Sequence, residues 1–500
     1  MSSDITAVID AIRGGTTVGN MYLEGGFGPV REELTLTDLT VTGAIPNYLD
    51  GRYLRNGPNP SAEVDPETYN WFAGDGMVHG LRIRDGKADW YRNRFVRNAE
   101  VSVRLGERPR RISRGAGYGA VGANTNVIGH AGRTLALVEA GVANFELTDE
   151  LETIGTCDFD GTLPGGYTAH PLRDPLSGEL HAISYFFGRG NTVQYSVIGK
   201  DGRARRRLDI EVGGSPMMHG FALTEQHVLI FDLPVTFDPR QAAAITVPRP
   251  LRWTAQLVLS AMVGRVRIPD PVGFAMAERA PGNSGFPYCW DDSYSARIGV
   301  LPRDGVASDV RWFEVDPCYI FHQANAYDDG NTIVLDAVRH ERVFDNNRLG
   351  PTEGAPTMNR WVLDLNSGRV REQLLDGRTQ EFPRIDERLI GRRHRYAYAP
   401  IMDRVDGHPS GTLLKHDLVA GAAVSKDFGP GKELGEFVFE PAAPDASEDD
   451  GVLIGFVYDR AANRSDLTFV DAETLETVAA VHLPAKVPHG FHGNWIPETG

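Results

Sequence analysis

Seven hairpin signals spread along the chain predict an all-β fold, a seven-bladed β-propeller. Each is an alternating apolar strand that reaches an Asp- or Gly-bearing turn and leaves it as a second strand, the strongest short-range mark of a hairpin. Their spacing is the second observation. They recur about every 50–65 residues, with one interval about twice as long, which suits one β-meander per blade. The third is continuity. No linker or low-complexity tract divides the chain, so residues 21–500 are expected to form one propeller domain behind an N-terminal extension of residues 1–20. Length alone would suggest about three domains. A β-sandwich or several β domains is the alternative that the same hairpins allow.

The signals run in order. They are Leu81-Arg-Ile-Arg-Asp-Gly-Lys, Phe145-Glu-Leu-Thr-Asp-Glu-Leu, Tyr195-Ser-Val-Ile-Gly-Lys-Asp-Gly and Ile298-Gly-Val-Leu-Pro-Arg-Asp-Gly. Trp361-Val-Leu-Asp-Leu-Asn-Ser-Gly, Leu414-Lys-His-Asp-Leu-Val-Ala-Gly and Phe469-Val-Asp-Ala-Glu-Thr complete the set. The long interval, between Tyr195 and Ile298, holds an insertion near 240–290. Within it, residues 251–267 are apolar and helix-capable, carry Arg252, Arg265 and Arg267, and have no acidic residue. A basic amphipathic segment of this kind suits a membrane surface. It suits equally a cap helix packed on a propeller face, and the two roles are compatible.

Composition excludes several classes. The chain has 500 residues, 41% hydrophobic, with a net charge of −16. That balance opposes nucleic-acid binding. Three widely spaced cysteines, Cys157, Cys289 and Cys318, supply neither a disulfide framework nor a thiolate metal motif. The N-terminus lacks the basic start and apolar run of a signal peptide. No apolar stretch of about 20 residues is present to span a bilayer. The expectation is a cytoplasmic protein, a monomer, in a reducing compartment that would suit a ferrous metal.

Four histidines carry the chemistry. His170, His219 and His322 each stand ahead of a strand-turn-strand pattern, and His492 closes the chain in Gly-Phe-His-Gly-Asn-Trp. Equivalent positions on repeated units can converge on one axis, and four converging imidazoles make a metal site. Neutral imidazole suits zinc, copper, iron and nickel. Catalytic zinc generally takes three protein ligands; four histidines with one or two open positions fit an iron that meets dioxygen better. Ligating histidines generally donate the other ring N–H to a carboxylate or carbonyl. Glu139, Glu381 and Glu440 sit in apolar settings where a lone carboxylate is costly, so each needs a partner, either a metal-bound histidine or an ordinary salt bridge.

At these residues the chain resembles the carotenoid cleavage oxygenases, from about residue 20 to its end. The resemblance is carried by Gly51-Arg-Tyr-Leu-Arg-Asn-Gly-Pro-Asn-Pro, Trp71-Phe-Ala-Gly-Asp-Gly-Met-Val-His-Gly, Ala169-His-Pro and Met218-His-Gly-Phe-Ala-Leu-Thr. Phe321-His-Gln-Ala-Asn-Ala-Tyr, Glu440-Pro and Gly490-Phe-His-Gly add to it. It implies a seven-bladed propeller with an α-helical and loop cap over the face bearing the active site. It implies one Fe(2+) held by His170, His219, His322 and His492. Glu139, Glu381 and Glu440 would support His219, His322 and His492 in that order, leaving His170 without a carboxylate. The implied activity is a non-haem iron dioxygenase, with O2 as co-substrate, that cleaves a conjugated C=C bond to two carbonyl fragments.

Stilbene- and phenylpropene-cleaving relatives carry a Lys before the first of these glutamates and a Tyr in the strand after Gly-Asp-Gly. Here the corresponding residues are Val138 and Phe95. A phenol hydroxyl left unpaired costs about 1–3 kcal/mol, so the resemblance favours a lipophilic carotenoid or apocarotenoid. Stilbene cleavage and a non-redox retinoid isomerase-hydrolase are the alternatives, and a propeller serving only as a binding scaffold is a third. His79 is read as structural. His489 is set aside in favour of His492, and His130, His181, His227, His340, His394, His408, His416 and His482 are read as structural or exposed.

Overall fold

The computed structural model describes residues 19–110, 113, 117, 122–268, 286–351, 353–405 and 408–498. Seven antiparallel sheets of three to five strands follow one another along them, with two separate two-stranded ribbons. Each predicted hairpin lies in a different sheet. The pairs are Gly76–Arg84 with Lys87–Phe95, Asn144–Leu147 with Thr153–Cys157, and Thr192–Ile198 with Ala204–Glu211. Next come Arg297–Pro302 with Arg311–Glu314 and Thr357–Asp364 with Val370–Asp376. Thr412–Asp417 with Ala422–Asp427 and Arg464–Asp471 with Thr477–His482 complete the ring. The sheets are blades 1 to 7 of a propeller, numbered in that order.

Both chain ends close the ring. The C-terminal strand Gly493–Pro497 pairs with Gly51–Pro58 and becomes the innermost strand of blade 1. The early strand Thr40–Gly43 pairs with Thr477–His482 on the outer edge of blade 7. Main-chain hydrogen bonds thus join each end of the chain to a blade built from the other end.

The burial pattern follows from position in the blade. Middle strands are covered on both faces and read as apolar runs, as in Val228, Leu229, Ile230 and Phe231, all at most 2% exposed. Outer strands have one wet face and alternate, as in Ala204–Glu211 with its Arg205, Arg207 and Asp209. Period-2 alternation therefore marks the outer hairpin of each blade, and that is the hairpin the sequence signals identify.

The insertion belongs to blade 4 and is wider than 240–290, lying between the strands His227–Asp232 and Arg297–Pro302. It opens with the ribbon Val235–Phe237 paired to Tyr288–Trp290. Helix Pro239–Thr246 follows, its N-terminus capped by the Asp238 carboxylate, which accepts from the Arg240 and Gln241 backbone N–H groups. Helix Arg252–Met262 buries Leu259 and packs Ala255 on the core. Its other side leaves Trp253, Leu257 and Val258 exposed. Among the described residues no helix is long and apolar enough to cross a membrane. Residues 1–18 of the expected extension and 269–285 of the insertion lie outside the described residues.

Candidate metal centre

The four histidines share a setting because they share a structural position. His170 stands two residues ahead of the inner strand Leu172–Arg173 of blade 3, and His219 two ahead of Phe221–Leu223 of blade 4. His322 directly precedes Gln323–Asp329 of blade 5, and His492 precedes Gly493–Pro497 of blade 1. Inner strands surround the propeller axis, so residues at their entry meet there. One ring nitrogen from each histidine lies within 4.8 Å of the others.

Carboxylates fix the orientation of three rings. His219 Nδ1 lies 2.9 Å from Glu139 Oε1, His322 Nδ1 2.6 Å from Glu381 Oε2, and His492 Nδ1 3.0 Å from Glu436 Oε1. An ionised carboxylate only accepts, so each Nδ1 carries the proton and each Nε2 presents a lone pair. His219 Nε2 and His322 Nε2 face each other at 3.3 Å. With both protons on Nδ1, that contact is not a hydrogen bond but two acceptors in opposition. His170 Nε2 is buried and has no hydrogen-bond partner among the described residues. Converging lone pairs of this kind are a donor set for a cation, and an all-imidazole set fits iron.

For two of the rings burial also favours the neutral form. Burial, and then the neighbouring His219, His492 and His322, hold His170 well below the ordinary imidazole range. Burial outweighs Glu381 and lowers His322 as well. Neutral imidazole is the ligating form. Burial works to raise Glu381, but His322 and the hydrogen bonds from His322 and His340 prevail and hold it well below the carboxylate range. Burial also opposes the ionisation of Glu436, yet Arg384 and His492 bring it down to about 2.

The backbone aims these carboxylates by two devices. Ala140 (φ 60°) and Phe382 (φ 53°), each following a glutamate, adopt the left-handed conformation that non-glycine residues rarely take. The Phe382 turn also points its N–H at Glu381 Oε2 and stacks its ring on His322, with centroids 5.1 Å apart. Glu436 instead sits in a β-bulge. Leu434 pairs with Val457 and Phe437 with Gly455, so Gly435 and Glu436 together oppose Phe456 alone. A bulge re-aims a side chain.

That bulge corrects one expectation. Glu440 was expected to support His492; Glu436, four residues earlier on the same strand, does so. Glu440 lies in the regular part of the strand opposite Val452. Burial, and then the charges of Glu387 and Asp386, raise its carboxyl to about 8. The sequence signal for Glu436 was the Gly before it in Glu433-Leu-Gly-Glu-Phe, since an isolated Gly in a strand marks a bulge.

The expected pairing of Phe95 with Val138 in one pocket is also corrected. Phe95 packs with Met77, Val101 and Val30. Val138 packs in another cluster, which contains the neighbouring Val96. Successive side chains of an extended segment point to opposite sides, so it is Val96, not Phe95, that shares a cluster with Val138.

Of the remaining histidines, His79 and His489 stand apart from the centre and His340 does not. His79 bonds to the Tyr91 hydroxyl and His489 to Glu433. His340, which the sequence groups with the structural or exposed histidines, is buried, and its Nε2 lies 2.9 Å from Glu381 Oε1. No local signal marks it, because its partner lies 41 residues away.

The two sides of the cluster differ. Phe321 stands edge-on to His219 at 5.0 Å and continues into Phe72, Phe344, Phe286 and Phe491. On the other side a cavity of about 610 Å³ reaches His170, His322 and His492 and is lined by Arg52, Asn126, Arg384, Glu436 and Glu440, among others.

Similarity to known proteins agrees with this architecture. The family model described as retinal pigment epithelial membrane protein matches residues 27–497. A carotenoid cleavage oxygenase of Mycobacterium tuberculosis is 54% identical, covering 96% of this chain and 98% of the relative. The carotenoid 9,10(9',10')-cleavage dioxygenase 1 of Arabidopsis thaliana is 32% identical, covering 95% and 90%. Among solved structures, the lignostilbene dioxygenase of Pseudomonas brassicacearum superposes with a TM-score of 0.78 at 26% identity, over 95% of this chain and 98% of that one. Cobalt-substituted Synechocystis ACO shares the fold, with a TM-score of 0.76 at 24% identity over 95% and 98%. By sequence and by fold, the chain belongs to the retinal pigment epithelial membrane protein family, that of the carotenoid cleavage oxygenases.

Proposed function

We propose that this chain is an Fe(II)-dependent dioxygenase that cleaves a conjugated C=C bond of a carotenoid or apocarotenoid to two carbonyl products. The carrying observation is the converging four-imidazole donor set, three of its rings oriented by carboxylates, beside an aromatic wall. His170, His219, His322 and His492 would hold the metal. When bound, iron supplies the chemistry of dioxygen.

The chain's own residues supply the rest. Glu139, Glu381 and Glu436 keep the ring protons on Nδ1, so the Nε2 lone pairs stay available. Phe72, Phe321 and Phe491 offer a dry aromatic surface against which a polyene packs and from which water is excluded. No residue is needed as nucleophile or general acid. The substrate belongs on the aromatic side, because the opposite cavity is lined by Arg52, Arg384, Glu436 and Glu440, whose desolvation a hydrocarbon does not offset. Val138, next to Glu139, offers no polar group to a phenol, which favours a polyene over a stilbene.

The partner on the delivery side is a lipid surface. Trp253 (71% exposed), Leu251, Leu257, Val258 and Val266 are exposed apolar side chains in one segment that also carries the exposed Arg249, Arg265 and Arg267. Such a segment suits peripheral contact with anionic lipid. Flotation with anionic vesicles should recover the wild type in the lipid fraction, and the W253E/L257E double variant should stay in the aqueous fraction. Equal aqueous recovery of both would overturn this contact.

The activity is tested by HPLC–mass spectrometry after anaerobic Fe(II) loading and exposure to O2, with β-carotene, a long apocarotenal and resveratrol as substrates. Aldehyde or ketone fragments of a polyene are expected, and their masses locate the bond. Resveratrol fragments alone would move the chain to stilbene cleavage. Stoichiometric iron with neither cleavage nor O2 uptake would overturn the oxygenase reading.

A further inference from the structure

We infer that His340 is a positioning residue of the metal centre, which donates its Nε2–H to Glu381 and thereby fixes the carboxylate that orients His322. The inference rests on reading the four histidines as a metal site. One Glu381 oxygen, Oε2, accepts from His322 Nδ1 and from the Phe382 backbone N–H. The other, Oε1, accepts from His340 Nε2 at 2.9 Å. A carboxylate held through one oxygen can still rotate about its last side-chain bond. Holding both oxygens removes that freedom and fixes the acceptor facing His322.

His340 is itself held by the backbone. Its N–H and C=O both pair with Tyr319 at 2.9 Å, forming an isolated antiparallel bridge. Its side chain is 3% exposed and stands edge-on to Phe321 at 5.0 Å. Phe321 adjoins His322, and the Val338 N–H donates to the His322 carbonyl at 3.0 Å. One strand pair of blade 5 therefore sets the separation of the two imidazoles that meet on Glu381.

The chemistry of the position excludes simple packing. His340 Nδ1 is buried and has no protein partner among the described residues. An unmatched buried polar atom costs free energy, so an apolar side chain would serve packing better. What the imidazole adds is an N–H donor to the carboxylate. The contrast is Glu436, whose extra side-chain donor is the Arg384 guanidinium. His340 supplies the corresponding side-chain donor to Glu381.

The test compares wild type, H340L, H340Q and H181L in competition titrations of Fe(II) against a chelator, with visible spectra of the Co(II)-loaded forms. H181L is the control, because it removes a buried imidazole bonded to Tyr195 rather than to the centre. H340L should fold, bind Fe(II) about 10-fold more weakly and show a shifted Co(II) d–d envelope. H340Q, which keeps a donor, should recover most of the affinity, and H181L should match wild type. Wild-type affinity and spectrum in H340L would overturn the inference. If H340L does not fold, imidazole ¹⁵N NMR of the Zn(II)-loaded wild type decides. A proton on His340 Nε2 supports the inference and a proton on Nδ1 overturns it. A wild type that binds neither Fe(II) nor Co(II) would overturn the metal reading and this inference with it, an outcome distinct from failure of H340L alone.

Discussion

Glu436 and Glu440 lie on one strand, Lys432–Pro441, and are both largely buried, yet they stand at opposite ends of the carboxylate scale. Glu436 is held down to about 2 and Glu440 is raised to about 8. Burial acts the same way on both. The difference lies in what faces them. Glu436 meets the Arg384 guanidinium, His492 Nδ1–H and the Gly493 N–H. Glu440 meets the charges of Glu387 and Asp386, with Arg388 in partial opposition. The bulge at Gly435 and Glu436 turns one carboxylate to the donors and leaves the other in regular register. A buried acid in a strand therefore says little about its role until its partners are known.

The comparison breaks most severely at Arg384. Its side chain is 16% exposed and bonds to Glu436, the Gly493 carbonyl, Glu387 and Asn494. R384M removes the chief group that lowers Glu436 and leaves a buried carboxylate short of a charge partner. Breaking a buried pair from one side costs about 3–5 kcal/mol. Denaturant unfolding of the metal-free protein should show a loss of that order. A loss below about 1 kcal/mol would mean that His492 and Gly493 suffice.

Next in size is the exchange of the two acids. E436Q should weaken iron binding about 10–100-fold, the usual cost of losing a carboxylate behind a ligating histidine. E440Q should leave it unchanged. Chelator competition on both variants measures this. Equal losses would mean that the strand, and not its bulge, determines the support of His492.

What the sequence reveals about this site follows physical range. The outer hairpins are visible because alternation and turn chemistry are local, and each of the seven falls in its own blade. The four histidines are visible because the propeller repeats one structural position, at the entry to an inner strand. Glu139 and Glu381 stand out as acids in apolar runs and do meet His219 and His322. Glu440 stands out for the same reason and fails, because it lies four residues along the strand beyond the bulge that turns Glu436 to His492. Phe95 fails by parity, its side chain and that of Val96 leaving the backbone on opposite sides. His340 and Arg384 lie beyond local reading altogether. Their partners are 41 and 52 residues away, and only the packing of neighbouring blades brings them together.

The smallest expected effect sharpens the comparison through pH. The folded Glu440 carboxyl, at about 8, lies above its ordinary value of 4.5. A group raised on folding carries its full share of stability below its unfolded pKa. That share is lost as pH rises through the folded value, because the native state must release a proton it holds more tightly than the unfolded chain does. Stability should therefore decline between about pH 4.5 and pH 8 on account of this residue, and level off above. E440Q removes the titration. Allowing for partial solvent screening, the variant should gain about 1–2 kcal/mol on wild type between pH 5 and pH 9. Urea midpoints at the two pH values decide it. A gap between E440Q and wild type that stays constant across the range would place the Glu440 carboxyl at its ordinary value. The contrast with Glu436 would then reduce to geometry alone.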